Sequence, residues 1–386
     1  MFARFVAMIT AASLLTMLNN RLLESPVLKY GIYGLMTYSV YYVVSYTYKI
    51  KPHFYKNDKV IILLLLLSIN LLFSPYDPLY PRLIKYFGYI GSFVLGYILC
   101  ENNIELKCKK WFLFSLVFIP VICVGLFDHT PHKSLFFPLS NVFSFYGLCA
   151  SLFIFTIFNE NKNIFKWTIF IILLYIASAS TLGIVVAIAF AILIINRHNF
   201  KLMSATLFLC LLVVFCVNYI DLPIFLRIRD VINLAGSLSW YDWTHLKDMD
   251  FYQMDIQLDK VSDRSDNSSF LWRLAHWQKI MDGYFEHWWY SIPFGLGDGY
   301  SVVKCGNFCH NEFLKFFAEN GIIVFYILMQ WVKMVEVKLK YDKVYYFILA
   351  IICYHLTENL IDAFVPCTMF YFSLGYWYKK SDNVSY

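Results

Sequence analysis

Three short stretches between residues 264 and 321 carry side chains suited to holding anions and moving protons. The first runs from Ser269 through Arg273 and His276 to Trp277. It opens a predicted helix to about Tyr290, because apolar residues recur at Phe270, Leu274, Trp277, Met281, Tyr284 and Trp288. Arg273, His276, Gly283 and His287 fall near one another on a different face, which taken alone is an ordinary solvated face. The second stretch, Pro293 to Tyr300, places glycines at 295, 297 and 299, which allows tight turns and close backbone approach to a bound group. It does not follow a strand and open a helix, so no dinucleotide site is implied. The third runs from His310 and Asn311 to Gly321 and straight into an apolar run. His310, Leu314 and Phe317 share one helical face, which puts His310 at the outer end of that run, and Asn311 also suits a helix N-cap.

Four tryptophans, Trp272, Trp277, Trp288 and Trp289, accompany the first stretch and predict a helix lying at a membrane interface. Cys305 and Cys309 stand apart from the other eight cysteines, most of which sit in or beside apolar runs as small apolar residues. In an oxidising compartment the pair is spaced to close a small disulfide. With His310 it also offers three zinc-ligand types, although His310-Asn-Glu312 lies downstream of the cysteines, the reverse of a deaminase order. The expectation is that the chain holds no metal.

The elements that must position these residues are membrane helices. Of the 386 residues 60% are hydrophobic, 20% aromatic and 15% charged, with mean hydropathy +0.57. Soluble domains carry about 25% charged residues, so disordered, collagenous and ordinary cytosolic classes are excluded. Helical crossing of a bilayer takes about 20 apolar residues. Twelve spans are predicted, at 3–18, 29–48, 59–74, 84–100, 111–127, 141–158, 165–178, 181–196, 203–219, 321–337, 344–358 and 362–378. The seventh and eighth also fit a re-entrant pair around Ser178 to Gly183. The first follows Arg4 without an A-x-A-like cleavage site, which reads as a retained anchor.

Basic residues orient the spans. With the N-terminus inside, the inner side holds 18 Lys and Arg and the short outer loops only 5 (Arg21, Lys29, Arg82, Lys85 and Lys133). Both termini are then cytoplasmic. The chain divides into a nine-span bundle at 1–219, an external loop domain at 220–320 and three closing spans at 321–386. The loop domain holds 14 of the 26 acidic residues and 9 of the 32 basic ones. The net charge of +6 divides by membrane side, so it gives no nucleic-acid signal.

The order S-x-x-x-R-x-x-x-W, P-x-G-x-G, then H-N-x-x-L-x-x-x-x-E-x-G entering a span resembles the O-antigen polymerase/ligase superfamily, the Wzy-type polymerases and WaaL-type ligases of bacterial surface polysaccharides. The similarity is close over roughly 265–325, and His355-Leu-Thr-Glu358-Asn also resembles a family segment. Many spans with one long, late periplasmic loop match as well. The resemblance implies an all-α polytopic membrane protein, GT-C-like, in the bacterial inner membrane, with its site at the periplasmic face and a role in lipopolysaccharide biosynthesis. Family members often have S-R-G or T-R-A where this chain has Ser180-Thr181-Leu182-Gly183. Arg227, Arg229 and Arg264 are the candidates to replace the missing arginine.

The implied reaction is metal-free glycosyl transfer from an undecaprenyl-diphosphate-linked oligosaccharide, without cofactor. Arginine suits the leaving diphosphate, because its planar fork binds phosphate oxygens in pairs and stays charged. Histidine suits the acceptor hydroxyl as a base near neutral pH. Arg273 is therefore expected to clamp diphosphate and His310 to act as base. Asn311, Arg264, Arg229, Arg227, Gly295 and Gly297 are expected to bind substrate, and Glu358 is a second acid beneath the histidine, an ionisable group beside a span being functional by default. The partners expected are the lipid-linked glycan, the bilayer and a chain-length regulator.

Polymerase is favoured over ligase by the glycine turn and the many Tyr and Trp residues of the loop, which suit sugar stacking. A flippase or transporter is the rival of another class, but such folds divide into similar halves, whereas this chain divides nine plus three. Alkaline phosphatase fused after residue 260 should be active and a fluorescent reporter fused after residue 386 should glow. The opposite pattern would invert the orientation.

Overall fold

The computed structural model describes isolated positions between 5 and 45 and, beyond them, residues 79–106, 110–127, 140–158, 161, 163–179, 182–197, 199–216, 229, 233, 236, 238–248, 268–305, 310–358, 360 and 363–383. Thirteen helices are described: α1 (Leu79–Glu101), α2 (Lys110–Phe127), α3 (Ser140–Ile157), α4 (Ile164–Ala179), α5 (Leu182–Ile195), α6 (Phe200–Cys216), α7 (Trp240–Thr244), α8 (Ser268–Glu286), α9 (Trp288–Phe294), α10 (Tyr300–Cys305), α11 (Glu312–Leu339), α12 (Val344–Tyr354) and α13 (Phe364–Lys380). No strand occurs among the described residues. The described residues are all-helical, consistent with the expected α-helical class.

A helix stands at each of the nine apolar runs from 84–100 onward, excepting the loop. The run at 59–74 falls outside the described residues, and those at 3–18 and 29–48 are described only at scattered helical positions. Among the described residues no helix is long and apolar enough to cross a membrane. Helices α2 to α6, α12 and α13 have at most 18 residues, and the longer α1 and α11 carry charged side chains.

The core lies where α13 packs against α1 and α3. Most of α13 is buried, from Phe364 and Val365 to Trp377 and Tyr378, as expected of a helix apolar on all sides. Its backbone meets α1 directly. A Cβ on Gly96 would overlap the Phe372 carbonyl, and one on Gly375 the Phe93 carbonyl. Small residues at both crossings let the two helices touch backbone to backbone.

Pro120 inside α2 shapes a second contact. Proline has no N–H, so the Leu116 carbonyl four residues back loses its helical partner, and the ring crowds that turn. Tyr146 of α3 donates its hydroxyl to the Leu116 carbonyl at 2.7 Å, and Tyr175 of α4 donates to the Val117 carbonyl at 2.7 Å. Both tyrosines are fully buried.

Helices α11 and α12 form a hairpin whose closed end carries ion pairs between Arg197 and Glu336 (2.9 Å) and between Lys338 and Asp382 (2.6 Å). Its open end brings residues 310–312 beside 355–358, where the Glu312 N–H donates to the His355 carbonyl at 2.8 Å. Substituting Gly375→Ala should destabilise the fold by about 1–3 kcal/mol through overpacking. Thermal unfolding of the full chain in detergent reads this, and an unchanged midpoint would show that α1 and α13 separate freely.

Candidate functional site

The predicted helix through Arg273 is interrupted. It ends as α8 at Glu286 and restarts as α9 at Trp288, because His287 leaves helical geometry (φ −113°, ψ 28°). Trp272 and Trp277 are half-buried in the protein, while Trp288 and Trp289 are exposed. The Tyr300 hydroxyl lies against Gly283, where a Cβ would push it aside.

A small core of Ile280, Tyr284 and Ala318, with Leu314, Phe317, Ile292 and Leu296 against it, fixes α8 and α9 to the start of α11. The face predicted for His310, Leu314 and Phe317 is thus divided: the two apolar residues fill this core and the histidine lies beyond it. His310 adopts a left-handed backbone (φ 52°), a conformation that costs a non-glycine residue on the order of 1 kcal/mol. Asn311 then caps α11, its side-chain oxygen accepting the Leu314 N–H at 2.9 Å.

Glu358 joins these parts. Its carboxylate, on a residue only 2% exposed, takes the Arg273 guanidinium on Oε1 at 2.7 Å and His310 Nδ1 on Oε2 at 2.7 Å. Arg273 also donates to the Thr357 carbonyl at 3.2 Å. Trp272 lies edge-on to His310 with ring centroids 5.0 Å apart, and its other neighbour is the buried His276 at 3.9 Å. An ionised carboxylate only accepts hydrogen bonds, so a neutral His310 in this contact would carry its proton on Nδ1 and a lone pair on Nε2. The arrangement can therefore present a basic nitrogen beside a fixed cation.

The glycine turn packs on α11. The Leu296 and Gly297 N–H groups donate to the Ala318 and Glu319 carbonyls at 2.8 and 3.0 Å. Gly295, Gly297 and Gly299 all have positive φ, and a Cβ on Gly295 would overlap the Glu319 carbonyl. The close approach legible in the glycines is thus made, at Gly295 and Gly297, to another part of the chain. Arg229 is half-buried. Arg227, Arg264, Thr181 and Cys309 lie outside the described residues, and with Cys309 both the disulfide and the zinc alternative. Among the described residues no three His, Cys, Asp or Glu side chains are grouped to hold a metal.

Sequence reasoning did not single out the contact between Asp298 and Glu319. Both are buried, and Glu319 Oε1 accepts the Ser301 N–H at 3.1 Å and hydroxyl at 2.5 Å. An aspartate between glycines and a glutamate two residues before Gly321 were the available signals, but nothing in one dimension joins them.

These features define an all-helical protein in which one buried carboxylate joins an arginine and a histidine at the open end of a helix hairpin. The family model Wzy_C, O-antigen ligase, matches residues 164–329, a stretch that contains Arg273, the glycine turn and His310 and stops before Glu358. This match supports the O-antigen polymerase/ligase superfamily, and with it polymerase or ligase activity in general. No curated protein matches the chain.

Burial is the main influence on Glu319, pushing its carboxyl from 4.5 up to about 8, while Lys315 pulls it down and Asp298 adds to the rise. Between those values the folded chain binds more protons than the unfolded one, so stability should fall as pH rises through the window. Glu319→Gln should flatten that slope in thermal unfolding from pH 5 to 8. A slope unchanged by the substitution would remove Glu319 as its source.

Proposed function

We propose that this chain is a glycosyltransferase of the bacterial inner membrane that polymerises O-antigen. It moves a glycan from undecaprenyl diphosphate onto the hydroxyl of another lipid-linked repeat unit at the periplasmic face. The family match supports the coarser statement of polymerase or ligase activity on a lipid-linked oligosaccharide. The observation that carries the mechanism is the bridge from Glu358 to Arg273 and His310.

In this reading the acceptor hydroxyl oxygen attacks the anomeric carbon and the bond from that carbon to the diphosphate oxygen breaks. The diphosphate leaves with the electron pair, and the hydroxyl proton passes to His310 Nε2. Glu358 holds the imidazole in the tautomer that makes Nε2 basic, then stabilises the imidazolium, as an orienting carboxylate does in hydrolytic triads. The Arg273 N–H groups not engaged by Glu358 and Thr357 face the charge that develops on the leaving group. The prenyl diphosphate already activates the sugar, so the proposed step uses no metal.

Bilayer contact is supported by large apolar side chains left exposed along α4 and α11, among them Trp167, Phe170, Leu173, Ile322, Ile323 and Tyr326. Polymerase over ligase is supported by Trp240 and Tyr241 of α7, 82% and 68% exposed. They present aromatic faces to which a growing glycan can stack. The α7 segment is fastened to α8 by Gln278, which accepts the Lys247 N–H at 3.1 Å and donates to the Trp243 carbonyl at 2.7 Å. A chain-length regulator is the protein partner this reading expects.

In a deletion strain, lipid A-core bearing a single repeat is the expected glycan profile, and a bare core would assign the ligase reaction instead. Complementation with His310→Ala should lower polymer formation by about 10²–10⁴-fold. Arg273→Lys keeps the charge but loses the fork, and should leave severely shortened chains at normal membrane levels. Full-length ladders from either variant would remove that residue from the mechanism.

A further inference from the structure

The first nine residues of α11 form a stub, because Gly321 (φ 74°, ψ 176°) breaks the helical path between residues 320 and 322. A helix interrupted by one non-helical glycine has no ladder of its own to fix the direction of the piece before the break. That piece carries His310 at its tip, so its direction decides where the imidazole stands. The upper end is tied by the Glu312 N–H to the His355 carbonyl, three residues before Glu358.

The lower end is tied by the glycine turn. The Ala318 and Glu319 carbonyls would take their helical partners from residues beyond Gly321, and the Leu296 and Gly297 N–H groups replace them. A Cβ on Gly321 would overlap the Pro293 carbonyl and the backbone nitrogens of Phe294 and Gly295, so turn and kink are fitted backbone to backbone. The side chain of Glu319 fastens this joint. Only 1% exposed, it takes both the N–H and hydroxyl of the fully buried Ser301 on Oε1 and is hydrogen-bonded to Asp298. Burial first, and Asp298 in addition, raise the Glu319 carboxyl to about 8, which lets it hold a proton for the contact with Asp298. Lys315, also buried and on the same stub, pulls the Glu319 carboxyl down through its charge and pairs with Glu312 at 3.7 Å.

We propose that Glu319 is a positioning residue for His310: by bolting the 295–301 turn to the stub of α11, it sets the stub's direction and so aligns the imidazole with Arg273 across Glu358. The catalytic part of this inference rests on His310 acting as the base. The mechanical part does not. Glu319 touches neither substrate nor the reacting atoms in this scheme, and its influence travels through the stub.

The test uses the full chain in lipid nanodiscs with a lipid-linked repeat unit as substrate. Glu319→Ala removes the bolt, whereas Glu319→Gln keeps an acceptor for Ser301 and supplies a donor to Asp298. Misplacement of a reacting group by about 1 Å costs up to roughly 10²-fold. Glu319→Ala should therefore lower kcat by about 10–100-fold with little change in KM. Glu319→Gln should restore kcat to within about 3-fold of wild type, a difference near 0.65 kcal/mol by rate theory. Amide hydrogen exchange over residues 310–320 should quicken in Glu319→Ala and stay slow in Glu319→Gln. If the alanine variant does not fold, Ser301→Ala removes one of the two bonds and should give the same pattern at smaller size. Unchanged exchange over 310–320 in a folded Glu319→Ala, or equal kcat in the two variants, would overturn the bolt. Full activity in His310→Ala with quickened exchange in Glu319→Ala would instead overturn the base and leave the bolt standing.

Discussion

The buried carboxylate of Glu358 governs the architecture of the site. Taking such a charge out of water costs several kcal/mol, and only close, hydrogen-bonded partners offset it. Here the partners arrive from two other elements: Arg273 from α8, which lies on the 220–320 segment, and His310 from the entry to α11. Glu358 itself follows α12. Three segments separated by tens of residues must therefore close on one another before any of the three side chains is satisfied. Removing one partner leaves the others buried and imbalanced, so the site and the local fold stand or fall together.

The elements around the site serve that convergence. The small core around Tyr284 and Ala318 sets α8 against α11. The left-handed backbone of His310 lets the chain enter α11 through an Asn cap while the imidazole turns toward α12. A strained residue there is tolerated because its neighbours over-determine it. Trp272 fills the space beside the imidazole and limits how it can rotate.

Most of the helical framework was legible because long apolar runs admit little but helix, and helices stand at the runs read from 84 onward. The pairing of Leu314 with Phe317 was legible for the same reason, since spacing along a helix is local, but His310 stands ahead of the Asn311 cap with a left-handed backbone and so leaves the face that spacing had given it. What joins distant segments was not. Glu358 was visible as an ionisable group beside a span, but its two partners lie 85 and 48 residues away and no pattern announces the bridge. The glycines at 295 and 297 advertised a close approach without naming the neighbour, which is the backbone of α11. The break at His287 left no mark either, because the apolar spacing continues across it to Trp288.

The two tyrosine hydroxyls lent to α2 have a consequence for how the bundle assembles. Because Pro120 leaves the Leu116 carbonyl without its helical donor and the two tyrosine hydroxyls come from different helices, α2 behaves like a key cut for two locks at once. Sliding it by a single residue against either neighbour, or rotating it about its axis, would strand a polar oxygen in an apolar interior. A proline that would weaken an isolated helix instead makes this one the registration mark by which α3 and α4 find their places.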